Sequence, residues 1–295
     1  SKVVAYVKLT SYAQIEFRKW RQTPLTFRVG SLIVLIHIIV AIVGRFWTPY
    51  PYFETGAGVP FSGMSWEHLM GVDYLGRDVL SRVLYGGHLV ILISVSGTLL
   101  GLIVGSVVGL ISGYIGGWFD EILQRILEAM ISIPFLIFGL LVVAAAGPKF
   151  SGNLFLLVSV IAFVYAPRIA RLARVAALEI STRDFVTSAR LRGESVWSVM
   201  RIELLPNATG ILLVEFAIRA GFAPVLVASL GFLGFGLRPP TPEWGLMMSE
   251  NRALIMVSPV IVMGPGLMLA SLVVGLNLWT EGLARILGRS VQLAP

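Results

Sequence analysis

Apolar runs of roughly twenty residues recur along this chain, with most of the charge gathered between them, and this alternation limits the fold more than any single motif. A run of that length matches the hydrocarbon thickness of a bilayer when it is helical, because a helix satisfies its own backbone hydrogen bonds in lipid. With 56% hydrophobic residues among 295 and a mean hydropathy of +0.85, the chain holds more apolar surface than a soluble core of this length can hide. The pattern predicts an all-α membrane protein with six transmembrane helices, at about 29–47, 88–114, 123–146, 154–175, 207–237 and 254–280.

Charge fixes the orientation. Residues 1–28 carry Lys2, Lys8, Arg18, Lys19, Arg21 and Arg28 against Glu16 alone, which predicts a cytoplasmic N-terminal segment. Within it, Tyr12 to Trp20 is basic and partly amphipathic, and reads as a surface helix at the lipid headgroups or a docking site. Arg45 follows the first span without a small-residue cleavage pattern, so that span reads as an uncleaved anchor. Sixteen lysines and arginines fall at the inside ends and six outside, which places both termini in the cytoplasm. The net charge of +7 is thereby explained by topology, and nucleic acid is not an expected partner. There is no cysteine, and His37, His68 and His88 are too scattered for a metal cluster. His37, inside a span, is read as a packing residue or a functional one.

Several spans carry marks of their own. In the outside loop, 45–87, Asp78 and Arg82 stand four apart and support a short helix, with Val79, Val83 and Leu84 free to face lipid or protein. Along the second span, Gly97, Gly101, Gly105, Gly109 and Gly113 recur every fourth residue, spacing that lets helix backbones approach closely. The stripe drifts by about 40° per step, which predicts a strongly crossed contact or two different neighbours. Pro134 should kink the third span, where Glu128 lies near the inner end and serves structure or substrate. The fourth span runs past Pro167 into Arg168, Arg171 and Arg174. In the fifth, Glu215 and Arg219 stand at i and i+4, able to neutralise each other or to line a path.

The inside loop, 179–206, is the one long stretch that is neither span nor plain polar connection. Ser181 and Asp184 match a capping box, Gly193 is the residue type that ends a helix in a left-handed conformation, and Pro206 closes a second helical stretch. Phe185, Val186 and Ala189 share one face of the first helix; Val196, Trp197, Met200 and Leu204 share one face of the second. An apolar stripe outside the bilayer must be covered by the protein's own span ends, by headgroups or by a partner.

This loop resembles the EAA loop of ABC importer permeases, in which Glu-Ala-Ala is followed after three residues by Gly and after further spacing by Ile-x-Leu-Pro. Ala189, Gly193, Leu205 and Pro206 match, while Thr187, Ser188 and Glu203 depart from the pattern. Residues 71–86 closely resemble the LGxDxxGRDVLSRxxYG signature of the dipeptide, oligopeptide and nickel branch, at Gly71, Asp73, Gly76, Arg77, Asp78, Ser81, Arg82, Tyr85 and Gly86 among others. Ala228 to Gly245 resembles that branch's ASLSFLGLGxQPPxPxWG, and Asn277, Leu278, Gly282 and Leu283 its closing NLxGDGL, with Glu281 in place of Asp.

The resemblance implies a type I permease fold and the second, C-type permease of a peptide importer in the bacterial cytoplasmic membrane. It also implies partners: a homologous permease forming a heterodimer, two ABC ATPase subunits, an extracytoplasmic substrate-binding protein, and the membrane lipid around the two permeases. Asp184, Ala189, Arg190, Gly193, Trp197, Leu205 and Pro206 would couple to the ATPase. Arg77, Asp78 and Trp244 would meet the binding protein. Glu215 and Arg219, where the family often has uncharged polar residues, are candidates for lining the path on their own chemistry. ATP and Mg would sit on the partner subunits, since this chain has no Gly-x-x-x-x-Gly-Lys-Ser/Thr loop to cradle phosphates. No catalytic constellation and no metal-ligand spacing stands out, so the chain reads as a non-catalytic subunit. Nickel, opines, glutathione or sugars are the alternative cargoes, and an ATP-independent secondary carrier or a membrane scaffold the alternative classes.

Overall fold

The computed structural model describes residues 23–292; the expected surface helix at Tyr12 to Trp20 lies outside them. In chain order the helices are α1 (Leu25–Phe46), α2 (Val79–Ile115), α3 (Gly117–Ser132), α4 (Phe135–Ala146), α5 (Leu154–Ser181) and α6 (Asp184–Leu191). Then come α7 (Val196–Val199), a π-helical turn (Met200–Leu204), α8 (Leu205–Phe232), α9 (Trp244–Glu250), a short 3-10 turn and α10 (Pro259–Gln292). Among the described residues there is no sheet, only an isolated bridge between Val72 and Asp78.

Five helical stretches are long and apolar enough to cross a membrane, and α3 with α4 forms a further pair bent by 102°. Pro134 explains the break: it cannot donate to the preceding turn, and the residue before it, Ile133, takes the extended backbone that a following proline favours. The expected kink in the third span is thus a full break. The pair must still return the chain across the bilayer, because α2 and α5 run parallel, Gly97 beside Val158 and Gly113 beside Arg174. Six crossings result.

Local chemistry moves some boundaries. Asp78 caps α2 by accepting from the Ser81 N–H at 2.8 Å, so the helix starts at Val79 instead of His88 and shortens the outside loop. Asp78 therefore does not pair with Arg82. The last helix begins at Pro259, after the 3-10 turn, instead of at residue 254. Ser181 is the final residue of α5, so the expected capping box does not form; α6 opens with Asp184 in its first turn and no side-chain cap.

All five glycines of the stripe face α5. A Cβ at Gly97 would lie 2.6 Å from Ile161, at Gly105 2.6 Å from the Ala166 carbonyl, at Gly109 2.1 Å from the Ala170 carbonyl, and at Gly113 2.6 Å from the Arg174 carbonyl. The nearest α5 carbonyls also recur every fourth residue, so both rows drift about 40° per step in the same sense and the helices wind round each other. One neighbour therefore uses the whole stripe, contrary to the expectation of two neighbours or a steep crossing. Other small residues set α1 against α10: Gly30 meets the Trp279 backbone, and Gly282 meets Phe27. His37 is buried there, its ring nitrogens 2.9 Å from the Ile33 carbonyl and 3.0 Å from the Ser271 hydroxyl, which makes it a satisfied packing residue.

Candidate functional site

At the inner end, α6 stops in a Schellman turn. The Glu194 N–H donates to the Ala189 carbonyl and the Gly193 N–H to the Arg190 carbonyl, with Gly193 at φ +74°. Ser195 then caps α7, accepting from the Ser198 N–H at 3.2 Å. Pro206 does not end this second helix. The π turn places the Leu205 N–H on the Met200 carbonyl, five residues back, and the chain continues into the fifth span, so Val196–Phe232 is one 37-residue helical stretch. A wider turn accommodates a proline, which has no N–H to give.

The apolar stripe divides. Val186, Ala189, Val199, Met200 and Leu204 are buried against the protein's own spans, in the cluster around Ile161, Ile169 and Leu226. Phe185, Leu191, Val196, Trp197, Ile202 and Leu205 are exposed, Leu191 at 84% and Trp197 at 62%. Ala189 is therefore a packing residue under the turn, while Trp197 and Leu205 belong to its uncovered side. The Arg190 guanidinium lies over the Tyr114 ring, 4.5 Å from its centroid, tying the segment to the end of α2. Asp184, Gly193 and Pro206 lie at the surface.

At the outer end, the three residues expected to meet a binding protein are internal: Arg77 is 2% exposed, Asp78 3% and Trp244 1%. Arg77 donates to Asp73 at 2.6 Å and to Glu250 at 2.9 Å; Arg82 donates to the same Glu250 oxygen at 3.1 Å. Two arginines and two carboxylates thus neutralise one another and fasten the start of α2 to α9. Asp78 also takes the His68 ring at 2.8 Å, and the Trp244 indole donates to the Val83 carbonyl at 3.0 Å. All three are held inside a structural clamp and not on the open surface. Beneath it Glu243 is wholly buried, accepting from the Gly245 and Leu246 N–H groups, and burial pushes its carboxyl up to about 7 against the opposing pull of those two donors. Glu243 and Glu250 were missed in the sequence; the only signal was the small residues Gly231 and Gly236 that make room for Glu243.

At mid-depth, Glu215 and Arg219 do pair, Nε to Oε1 at 2.6 Å, with Glu215 buried and Arg219 partly open. Arg168 and Tyr165, on α5, lie within electrostatic reach of Arg219. Toward the cytoplasm a polar cleft of about 490 Å³ opens between α3 and α5. Asp120 takes Arg174 there through two bonds, at 2.6 and 2.5 Å, and Glu128 lines the same space.

An all-helical chain that crosses the bilayer six times, with its fifth span carried unbroken into an uncovered helix–turn–helix inside, is a permease of type I fold. It belongs to the family of binding-protein-dependent transport system inner membrane components, whose model matches residues 105–293. It is 35% identical over 269 residues to the dipeptide transport system permease protein DppC of Haemophilus influenzae, covering 86% of this chain and 87% of that one. It is 35% identical over 279 residues to the glutathione transport system permease protein GsiD of Shigella flexneri, covering 94% and 90%. In fold it resembles a chain of the MetNI methionine ABC transporter in an inward-facing conformation, with a TM-score of 0.55 at 21% identity over 71% of this chain and 96% of that one. The chain is accordingly a multi-pass inner-membrane protein.

Proposed function

We propose that this chain forms half of the path by which an ABC importer takes up di- or oligopeptides, working beside a second, homologous permease. Two ATPase subunits bind ATP and Mg, a binding protein delivers the peptide outside, and this subunit catalyses nothing itself. The observation that carries this reading is the exposed apolar side of the Gly193 turn, on helices joined without interruption to the fifth span. Leu191, Val196, Trp197 and Ile202 offer a surface of a kind that another protein covers. Asp184 and Arg190 orient that surface, Ala189 and Gly193 hold the turn, and Leu205 and Pro206 pass its movement to α8. Glu215 and Arg219 lie on the path. Arg77, Asp78 and Trp244 act on the binding protein indirectly, by holding the outer face in shape, while exposed neighbours such as Trp66 and Met256 make the contact. Peptide is favoured as cargo because the relatives named above are a dipeptide and a glutathione transport system permease.

The test is co-purification after expression with the neighbouring genes. ATPase subunits and a second permease should come with the intact chain, and Trp197→Glu with Leu191→Glu should lose the ATPases while the chain still inserts. A chain recovered alone that moves solute in ATP-free vesicles would make it a secondary carrier.

A further inference from the structure

Arg219 takes a carboxylate from its own helix, but Arg168 has none among the described residues. Arg168 stands on α5 and Arg219 on α8, each about 20 Å of helix below the outer end of its own span, near the middle of the bilayer. α5 packs against α8, and Tyr165, one turn before Arg168, is buried in the cluster the two helices share, within electrostatic reach of both guanidinium groups. Arg168 donates to the Val164 carbonyl at 3.2 Å, one backbone acceptor for a five-donor fork. Glu215, the acid of the group, is already engaged by Arg219. These four residues therefore carry one uncompensated positive charge at a depth where charge is costly and where ionisable groups mark substrate paths. Arg171, one turn beyond Arg168 on α5, lines the polar cleft that opens to the cytoplasm.

We propose that Arg168 and Arg219 form a carboxylate-binding station partway along the path, occupied by a peptide's carboxylate in transit; this rests on the peptide-permease reading above. The planar fork of Arg168 suits two-point recognition of a carboxylate. Glu215 competes for Arg219 and so weakens the station, which lets the peptide leave; a path must bind its cargo loosely enough to release it. The carboxylate can be the peptide's C-terminus or an acidic side chain.

The experiment uses the complete importer with its binding protein in ATP-loaded proteoliposomes, with Ala-Ala, Ala-Asp amide, glutathione and penta-alanine as probes. Subunit co-purification confirms assembly of each variant. Arg168→Gln should lower uptake of a transported carboxylate probe at least about tenfold, and Arg168→Lys, which keeps the charge but not the fork, should restore part of it. Loss for Ala-Ala with Ala-Asp amide unaffected assigns the C-terminal carboxylate; loss for both assigns either source. Undiminished uptake in Arg168→Gln, or equal loss in Gln and Lys variants, overturns the station and leaves the permease reading standing. Refusal of every probe by the unaltered importer overturns the peptide reading and the station with it.

Discussion

Replacing Gly109 with alanine adds one methyl group where there is no room for it. The new Cβ would lie 2.1 Å from the Ala170 carbonyl oxygen and 2.7 Å from the Ala173 Cβ. Neither obstacle is a flexible side-chain tip, so α2 and α5 must part by about 1 Å at that level, which forfeits a quarter to a half of the dispersion energy of each contact in the opened zone. The opened zone includes Gly105 and Gly113, whose approach to α5 is nearly as close. The expected cost is at the upper end of that for overpacking, about 3 kcal/mol. Gly101→Ala is the matched control: its Cβ would meet the Ala162 carbonyl at 3.1 Å, a distance a shift of a few tenths of an ångström relieves. Thermal unfolding of both variants in nanodiscs, with the amount of inserted protein measured alongside, gives the comparison. Gly109→Ala should unfold well below Gly101→Ala. Equal midpoints would refute the reasoning that backbone proximity, and not glycine content, holds this pair together.

Three further outcomes are expected. Gly193→Ala meets nothing within 4 Å, so its cost is that of a left-handed backbone alone, about 1–2 kcal/mol, and Gly193→Asn should cost less; substrate-stimulated ATPase of the assembled complex reads the difference. Glu250→Ala leaves Arg77 and Arg82 buried with only Asp73 between them and should destabilise the outer clamp by about 3–5 kcal/mol, visible as faster proteolysis of the 47–78 loop. Glu243, lifted by burial from 4.5 to about 7, gives a pH dependence. Between those values the folded state binds more protons than the unfolded one, so stability falls by about 3 kcal/mol as pH rises from 4.5 to 7 and is level above. Glu243→Gln should flatten that slope in a melting series from pH 5 to 8.

The spans were legible because hydrophobic length is a local property, and Gly193 was legible because a turn needs its conformation wherever the chain goes. What escaped the sequence depends on pairing across the fold. Glu250 meets Arg77 and Arg82 only because α9 folds back on α2, and no spacing announces it. The glycine stripe misled in a definite way: drift was treated as loss of contact, whereas α5 carries a row with the same drift. Asp78 reads as the partner of Arg82 on a helix ladder, but it stands before the first turn, where backbone N–H groups claim it. Arg77 and Trp244 read as surface residues for the same reason that motifs often do: a signature marks what is needed, not where it lies.

The π turn carries the inner helix straight into the fifth span. From Trp197 to Arg219 the helix runs about 33 Å with no break in its helical course. A roll of about 10° imposed on Trp197 from the cytoplasm would swing a guanidinium about 7 Å from the axis by about 1.2 Å, enough to make or break a hydrogen bond. If the proposed coupling and carboxylate station hold, torque delivered at the inner surface would reset the grip at mid-membrane, and cargo would be released without the passage first widening.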